Sequence, residues 1–313
     1  MKDPVLDIVG DTQVMSDLHH RHVVGKNGKE RKRILFVLGG GKAGIVTAER
    51  LHVFHEAGIP ADHFDLIVGI SAGAYNSLAY GARQTAMLRE MYLYFSGLPM
   101  VWDQVYELIC EMEKKFDREM FERSKPEFLI GVSNHRGDLS LHQAKSAHNL
   151  FGLLYAGSAI PPFSSGRLPD GALAYDGAFA HPCPVRESVR KMRGVWEPGV
   201  EMDIVLLANR PRPENLPMSD IVLYWWGVNV FLRMWTPLLC PGANAIDSKV
   251  ADAIPVFEKK RHNSRFRTCA WFPSEREYIL PVEWSSSALT RVADAIGGET
   301  QRFLETVRPR AWV

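Results

Sequence analysis

Cysteine is scarce in this chain: four residues in 313, at Cys110, Cys183, Cys240 and Cys269. No two of them have the close spacing of a zinc knuckle or a redox motif, and so few in a long chain build no disulfide framework. They read as buried, reduced thiols. The segment MKDPVLDIVGDTQVMSDLHHRH is too charged and too rarely apolar for a signal peptide. Together these absences point to a reducing, cytoplasmic-type compartment. An excess of either charge is also missing, with 37 Lys+Arg against 36 Asp+Glu. Such a balance gives no long-range pull toward a polyanion, which argues against nucleic acid as a partner. Internal repeats, low-complexity tracts and a convincing linker are all lacking, so one elaborated domain is expected rather than two.

What is present is ample apolar material: 46% hydrophobic residues over this length can close a substantial core. Residues 1–33 show no sustained period and read as an extension ending in the basic run 26–33 (KNGKERKR). Such a run is a solvated tail or a contact for anionic lipid headgroups. His19, His20 and His22 cluster without a matching carboxylate or cysteine nearby in sequence, and no metal site or cofactor is expected.

Order is expected from Ile34–Leu38, a continuous apolar run that reads as a strand buried on both faces. A glycine cluster follows, then apolar residues at helical spacing from Ile45 to Ala57, stopped by Gly58-Ile59-Pro60. A second apolar run, Phe64–Ile70, leads through Ser71 into a predicted long helix from Ala74 to about Ser96. The alternation of strand and helix predicts an α/β fold, a mainly parallel central sheet with helices on both faces. Further on, the sequence predicts a surface helix within 101–122, a strand at Phe128–Val132 and a helix at Gln143–Ala156. A strand at Ile204–Ala208 and a closing amphipathic helix at Ala288–Val307 complete the reading. Residues 221–240 (IVLYWWGVNVFLRMWTPLLC) form the most hydrophobic stretch. Twenty residues can span a bilayer, but Asn229 and Arg233 fall on one helical stripe and Pro237 interrupts it. A core helix, or an interfacial element placing Trp225, Trp226 and Trp235 against lipid, fits better.

Three local patterns carry chemistry. Gly39-Gly40-Gly41-Lys42-Ala43-Gly44 lies between a buried strand and a helix, where backbone N–H groups stand open to a phosphate or to the oxyanion of an acyl transfer. It also fits the dinucleotide pattern G-x-G-x-x-G. That reading needs an acidic residue at the far end of the second strand, whereas Asp62 and Asp65 precede the strand. Gly69-Ile70-Ser71-Ala72-Gly73 stands in strand–turn–helix context, the setting of a nucleophile elbow. Tyr175-Asp176-Gly177-Ala178 places a carboxylate in a tight loop, an ordinary turn by itself but a base for a serine nucleophile when joined to the other two.

In this order and spacing the motifs resemble the patatin-like phospholipases. The glycine cluster is similar to that family's oxyanion motif, residues 69–73 to its elbow and Asp176-Gly177-Ala178 to its D-G-[A/G] motif. Ala156-Gly157-Ser158-Ala159-Ile160-Pro161-Pro162-Phe163 is similar to its A-S-x-x-I-P segment. The resemblance covers about residues 34–186. It implies a patatin-like, three-layer α/β/α catalytic core over 34–188, with 189–313 completing or elaborating the same domain. It further implies a Ser71–Asp176 dyad, an oxyanion hole from Gly39, Gly40 and Gly41 with the Ala72 amide as a further candidate donor, and supporting turns at Gly44, Gly69, Gly73 and Gly177. The implied substrates are fatty-acyl esters of phospholipids or lysophospholipids, met by transient contact with a membrane surface. One departure stands out: the family's basic residue occupies the position of Ala43, and the only basic side chain here is Lys42. The alternatives are an α/β-hydrolase esterase with a triad completed by His181 or His262, a dinucleotide-binding module, and a catalytically silent lipid-binding relative.

Overall fold

In a computed structural model, the described residues are 7–96, 102–134, 136–160, 164–181, 183–192, 194–209, 211, 266–274 and 285–308. They form an α/β fold around a nine-stranded sheet. Its middle is parallel: β9 (Phe266–Phe272), β8 (Met202–Leu207), β2 (Lys32–Val37), β3 (Leu66–Ile70) and β4 (Glu127–Asn134), in that order. Antiparallel strands finish both sides, β1 (Asp7–Gly10) on β9 and β5 (Leu139–Gln143), β6 (Gly166–Arg167) and β7 (Leu173–Asp176) around β4.

The central strands are short runs of Ile, Leu, Val and Phe because both of their faces are covered. Alternate residues separate cleanly. Leu35, Val37 and Ile67 join one apolar cluster with Val46, Leu51 and Phe54 of α2 (Ile45–Glu56) and Leu289, Val292 and Ile296 of α9 (Ser286–Val307). Ile34, Phe36, Leu66 and Val68 join the other, with Val185, Val189 and Met192 of α8 (Val185–Met192).

Several elements depart from the sequence reading. The helix predicted over 74–96 is two helices, α3 (Ala72–Gly81) and α4 (Thr85–Ser96). Arg83 breaks it with a positive φ of 58°, its guanidinium held by Asp62. The surface helix divides likewise into α5 (Trp102–Lys115) and α6 (Arg118–Arg123), where the Asp117 carboxylate caps the second by accepting from Met120 N at 2.8 Å. The helix predicted over 143–156 is only α7 (Leu150–Ala156), and the chain before it folds back as β5 in a hairpin with β4. Residues 7–33, read as an extension, contribute the edge strand β1 and the short helix α1 (Gln13–Asp17). Val14, Met15 and Leu18 are buried in the main cluster. Arg31 is buried between Glu201 and Asp203, with Nε 2.6 Å from Asp203 Oδ1.

Cys110, Cys183 and Cys269 are free thiols; Cys240 and the apolar run 221–240 lie outside the described residues. Among the described residues no helix is long and apolar enough to cross a membrane.

Candidate functional site

The C-terminal ends of β2, β3 and β8 lie side by side, and the chemistry-bearing loops leave from those ends. After β2, Leu38 N still donates to Leu207 O of β8 at 3.1 Å. The chain then turns through the glycine cluster into a 3-10 turn over Gly41–Gly44 that runs straight into α2. Gly41 has φ 57°, a conformation that a side chain makes costly. As the first residue of that turn, its N–H has no partner within it. Gly39 presses on the next loop: a Cβ here would lie 3.2 Å from the Ile70 carbonyl carbon and nearer still to Ser71 Cβ.

Ser71 follows β3 directly, with φ 55° and ψ −129°, and heads α3. A serine at positive φ is strained by about 1–3 kcal/mol, a cost met only where the surroundings enforce it. Here they do. A Cβ on Gly73 would lie 2.7 Å from the Val37 carbonyl carbon, so only glycine lets α3 pack this closely on β2. Gly69 is equally confined by Ala74 of α3. The result is the sharp strand-to-helix turn expected from the pentapeptide.

Asp176 reaches Ser71 by a route the sequence does not display. On β4, β3 pairs as far as Ile70 opposite Gly131. At the next residue, Val132, the partners are Ser140 of β5 on one edge and Asp176 of β7 on the other. Since β5 runs alongside Leu129–Ser133 while β3 pairs with Glu127–Gly131, β5 occupies the edge away from β3. β7 therefore takes the edge that β3 has just vacated, and the two strands meet end to end with Ser71 and Asp176 at the junction. Gly177 sits against the Gly131 backbone, which leaves no room for a side chain at that step.

The Asp176 main chain is fixed on both sides: its N–H donates to Ala159 O at 2.8 Å, and its carbonyl accepts from Ser133 Oγ at 2.8 Å. Its carboxylate accepts from Ala178 N at 2.9 Å and faces the Ser71 hydroxyl, both of which favour ionisation. Burial outweighs them and pushes the carboxyl up to about 6. Behind it, Tyr75 of α3 donates to Ser158 Oγ, so the segment that precedes β6 and β7 is tied to the elbow helix.

The glycine loop is held at both ends by asparagine. Asn76 Nδ2, on α3, donates to Gly44 O at 2.8 Å and to Thr47 Oγ1 at 2.9 Å, while Tyr92 Oη donates to Asn76 Oδ1 at 3.2 Å. Asn209, two residues beyond β8, donates to Leu38 O at 3.3 Å and to Gly39 O. Lys42 is buried and donates from Nζ to Ser96 O at 3.3 Å, at the C-terminus of α4. Sequence reasoning did not single out Asn76, Asn209, Ser133 or Tyr75. Of these only Tyr75, one helical turn beyond Ser71, carries a positional signal.

The other sequence candidates fall elsewhere. Asp62 and Asp65 stand before β3: Asp65 accepts from Arg33 N at 2.9 Å and pairs with Lys32 at 3.0 Å, at the opposite end of the sheet from the glycine loop. His181 Nδ1 accepts from Cys183 N at 3.3 Å; His262 lies outside the described residues. His22 pairs with Glu30 at 2.7 Å, and no group of three or more metal-ligating side chains occurs among the described residues.

No family model matches the chain, and no curated protein matches it. Among solved structures, the crystal structure of VipD from Legionella pneumophila is similar over 98% of this chain and 71% of that one, at 11% identity and a TM-score of 0.41. A likeness this low carries no argument about architecture or activity, and the reading of the site rests on its own geometry.

Proposed function

We propose that this chain is a patatin-like lipid acyl hydrolase, cleaving fatty-acyl esters of phospholipids or lysophospholipids through Ser71 and Asp176. The observation that carries the reading is the end-to-end meeting of β3 and β7 on β4, which sets a strained serine hydroxyl against a buried carboxylate beside a glycine loop. The packing of α8 on one sheet face and of α2 and α9 on the other supports a three-layer arrangement of patatin type. The substrate class and its presentation at a membrane surface come from the motif resemblance.

In the reaction, Ser71 Oγ attacks the ester carbonyl carbon while Asp176 takes the hydroxyl proton. The tetrahedral oxyanion is held by backbone N–H groups of the loop, Gly40 and Gly41 foremost, with Ala72 at the head of α3. Collapse expels the alcohol, which receives the proton from Asp176, and leaves an acyl ester on Ser71. Water attacks that ester with Asp176 again as base, releasing the fatty acid. In this reading Asp176 acts on Ser71 directly, since its carboxylate faces the Ser71 hydroxyl and accepts from Ala178 N. Asp62 and Asp65 stand at the wrong end of the sheet to hold a ribose beside the loop, which weighs against dinucleotide binding.

The test is labelling with a fluorophosphonate, located by peptide mass spectrometry, alongside hydrolysis of a short-chain p-nitrophenyl ester and of lysophosphatidylcholine micelles. An adduct on Ser71 and a loss of about 10³-fold or more in Ser71→Ala are expected. A folded Ser71→Ala protein that turns over near the wild-type rate removes the mechanism. An unlabelled, inactive wild-type chain supports a silent lipid-binding protein.

A further inference from the structure

Asn209 is 3% exposed and stands just past the end of β8, the strand on the far side of β2 from β3. Its side-chain amide has two hydrogens and spends both on the chain leaving β2, one on Leu38 O at 3.3 Å and one on Gly39 O. In a trans peptide the carbonyl of one residue and the N–H of the next point in opposite directions. Drawing the Gly39 carbonyl toward β8 therefore turns the Gly40 N–H toward β3, the side on which Ser71 presses against Gly39. Position 40, at a φ of 154° that favours glycine, is also crowded by this amide: a Cβ there would lie 3.0 Å from Asn209 Cγ and nearer still to Nδ2.

We propose that Asn209 is the positioning residue of the oxyanion hole: by anchoring the Gly39 carbonyl it aims the Gly40 N–H at the site of negative charge beside Ser71. This deepens the hydrolase reading above and rests on it. A peptide plane left free to rotate offers its donor only part of the time, so the loss appears at the step where charge develops and not in substrate binding.

The experiment uses the full chain with Asn209→Ala, Asn209→Asp and Asn209→Ser. Kinetics on a soluble short-chain ester are normalised to the fraction of Ser71 that a fluorophosphonate titrates, and urea denaturation confirms folding. Asn209→Ala and the isosteric Asn209→Asp, which loses the donor but keeps the volume, should lower kcat by about 10- to 100-fold with KM within about threefold, as for a weakened oxyanion donor. Asn209→Ser retains one donor and should recover at least about fivefold of the loss in Asn209→Ala, since one of two hydrogen bonds is restored. A kcat within threefold of wild type in either folded donor-less variant overturns the assignment, as does a serine variant no better than alanine. Those results leave an active, labelled wild type standing, whereas a wild-type chain without turnover or adduct overturns both this assignment and the hydrolase reading.

Discussion

At Asp176 two requirements oppose each other. Burial raises the carboxyl to about 6, against about 3.9 for an unfolded aspartate. The folded state thus binds this proton more tightly than the unfolded one. Stability from this group is intact below pH ~4, falls as pH rises from ~4 to ~6, and the loss is complete above that window, amounting to about 2–3 kcal/mol. Base function needs the ionised form, so turnover should rise with pH through a midpoint near 6. On the proposed mechanism, turnover belongs to the pH range in which this residue destabilises the fold. Asp176→Asn should abolish ester hydrolysis yet lose the pH dependence: relative to wild type it should gain about 2–3 kcal/mol in urea denaturation on going from pH 4 to pH 8. An identical pH slope for the two proteins would show that Asp176 is not the buried acid. The dyad reading assigns no proton transfer to His181, whose Nδ1 accepts from Cys183 N. His181→Gln should retain most activity, and a loss of ~10³-fold in a folded variant would restore the triad.

Among the elements, the junction of β2 and α3 sets the elbow. Gly73→Ala places a Cβ 2.7 Å from the Val37 carbonyl carbon. The helix must then move off the strand, at a cost of about 1–3 kcal/mol as for other overpacked sites. Since α3 begins at Ala72, that movement also displaces Ser71 relative to Asp176, and kcat should fall more steeply than stability. Paired denaturation and kinetic measurements decide this; an unchanged kcat in a destabilised protein would detach the elbow from its helix. Gly41→Val tests the adjoining turn. At φ 57° valine cannot keep the backbone as it stands, and a loss of about 10²-fold in turnover is expected if the Gly41 N–H serves the oxyanion.

For the whole molecule, the end of the sheet opposite the site is closed by charge. Arg31 lies buried against Glu201 and Asp203, and Arg267 bridges Asp203 to Asp17 with Nη2 2.8 Å from Asp17 Oδ2. This network ties residues 7–33 to β8 and β9, so the stretch that reads as a tail behaves as part of the sheet. Arg31→Ala leaves the buried Glu201 carboxylate without its countercharge, held only by the Lys26 and Asn27 amides, and should cost about 3–5 kcal/mol. Deleting residues 1–31 should cost more, because it also uncovers the β9 edge. A truncated chain with an unchanged urea midpoint would establish the segment as a dispensable extension.

The sequence alone determined what is local. β2 and β3 form on the apolar stretches Ile34–Leu38 and Leu66–Ile70 because such runs have no soluble alternative to burial on both faces. The turns at residues 39–44 and 69–73 announce themselves because glycine stands where a neighbouring chain leaves no room for a side chain, at Gly39, Gly69 and Gly73. The tertiary structure decided what depends on distant pairing. β9, with Arg267 in its run, and β5, with Ser140 and His142 in its own, are too mixed in character to declare themselves; the pairing they find in the sheet makes them strands. Asp176-Gly177 reads as a turn until β7 takes the edge of β4 that β3 leaves open. Asn209 carries no pattern at all, because its significance is a hydrogen bond to a carbonyl 170 residues away. Spacing along a chain encodes helix faces and strand alternation, while the meeting of two strand ends is fixed only when the sheet closes.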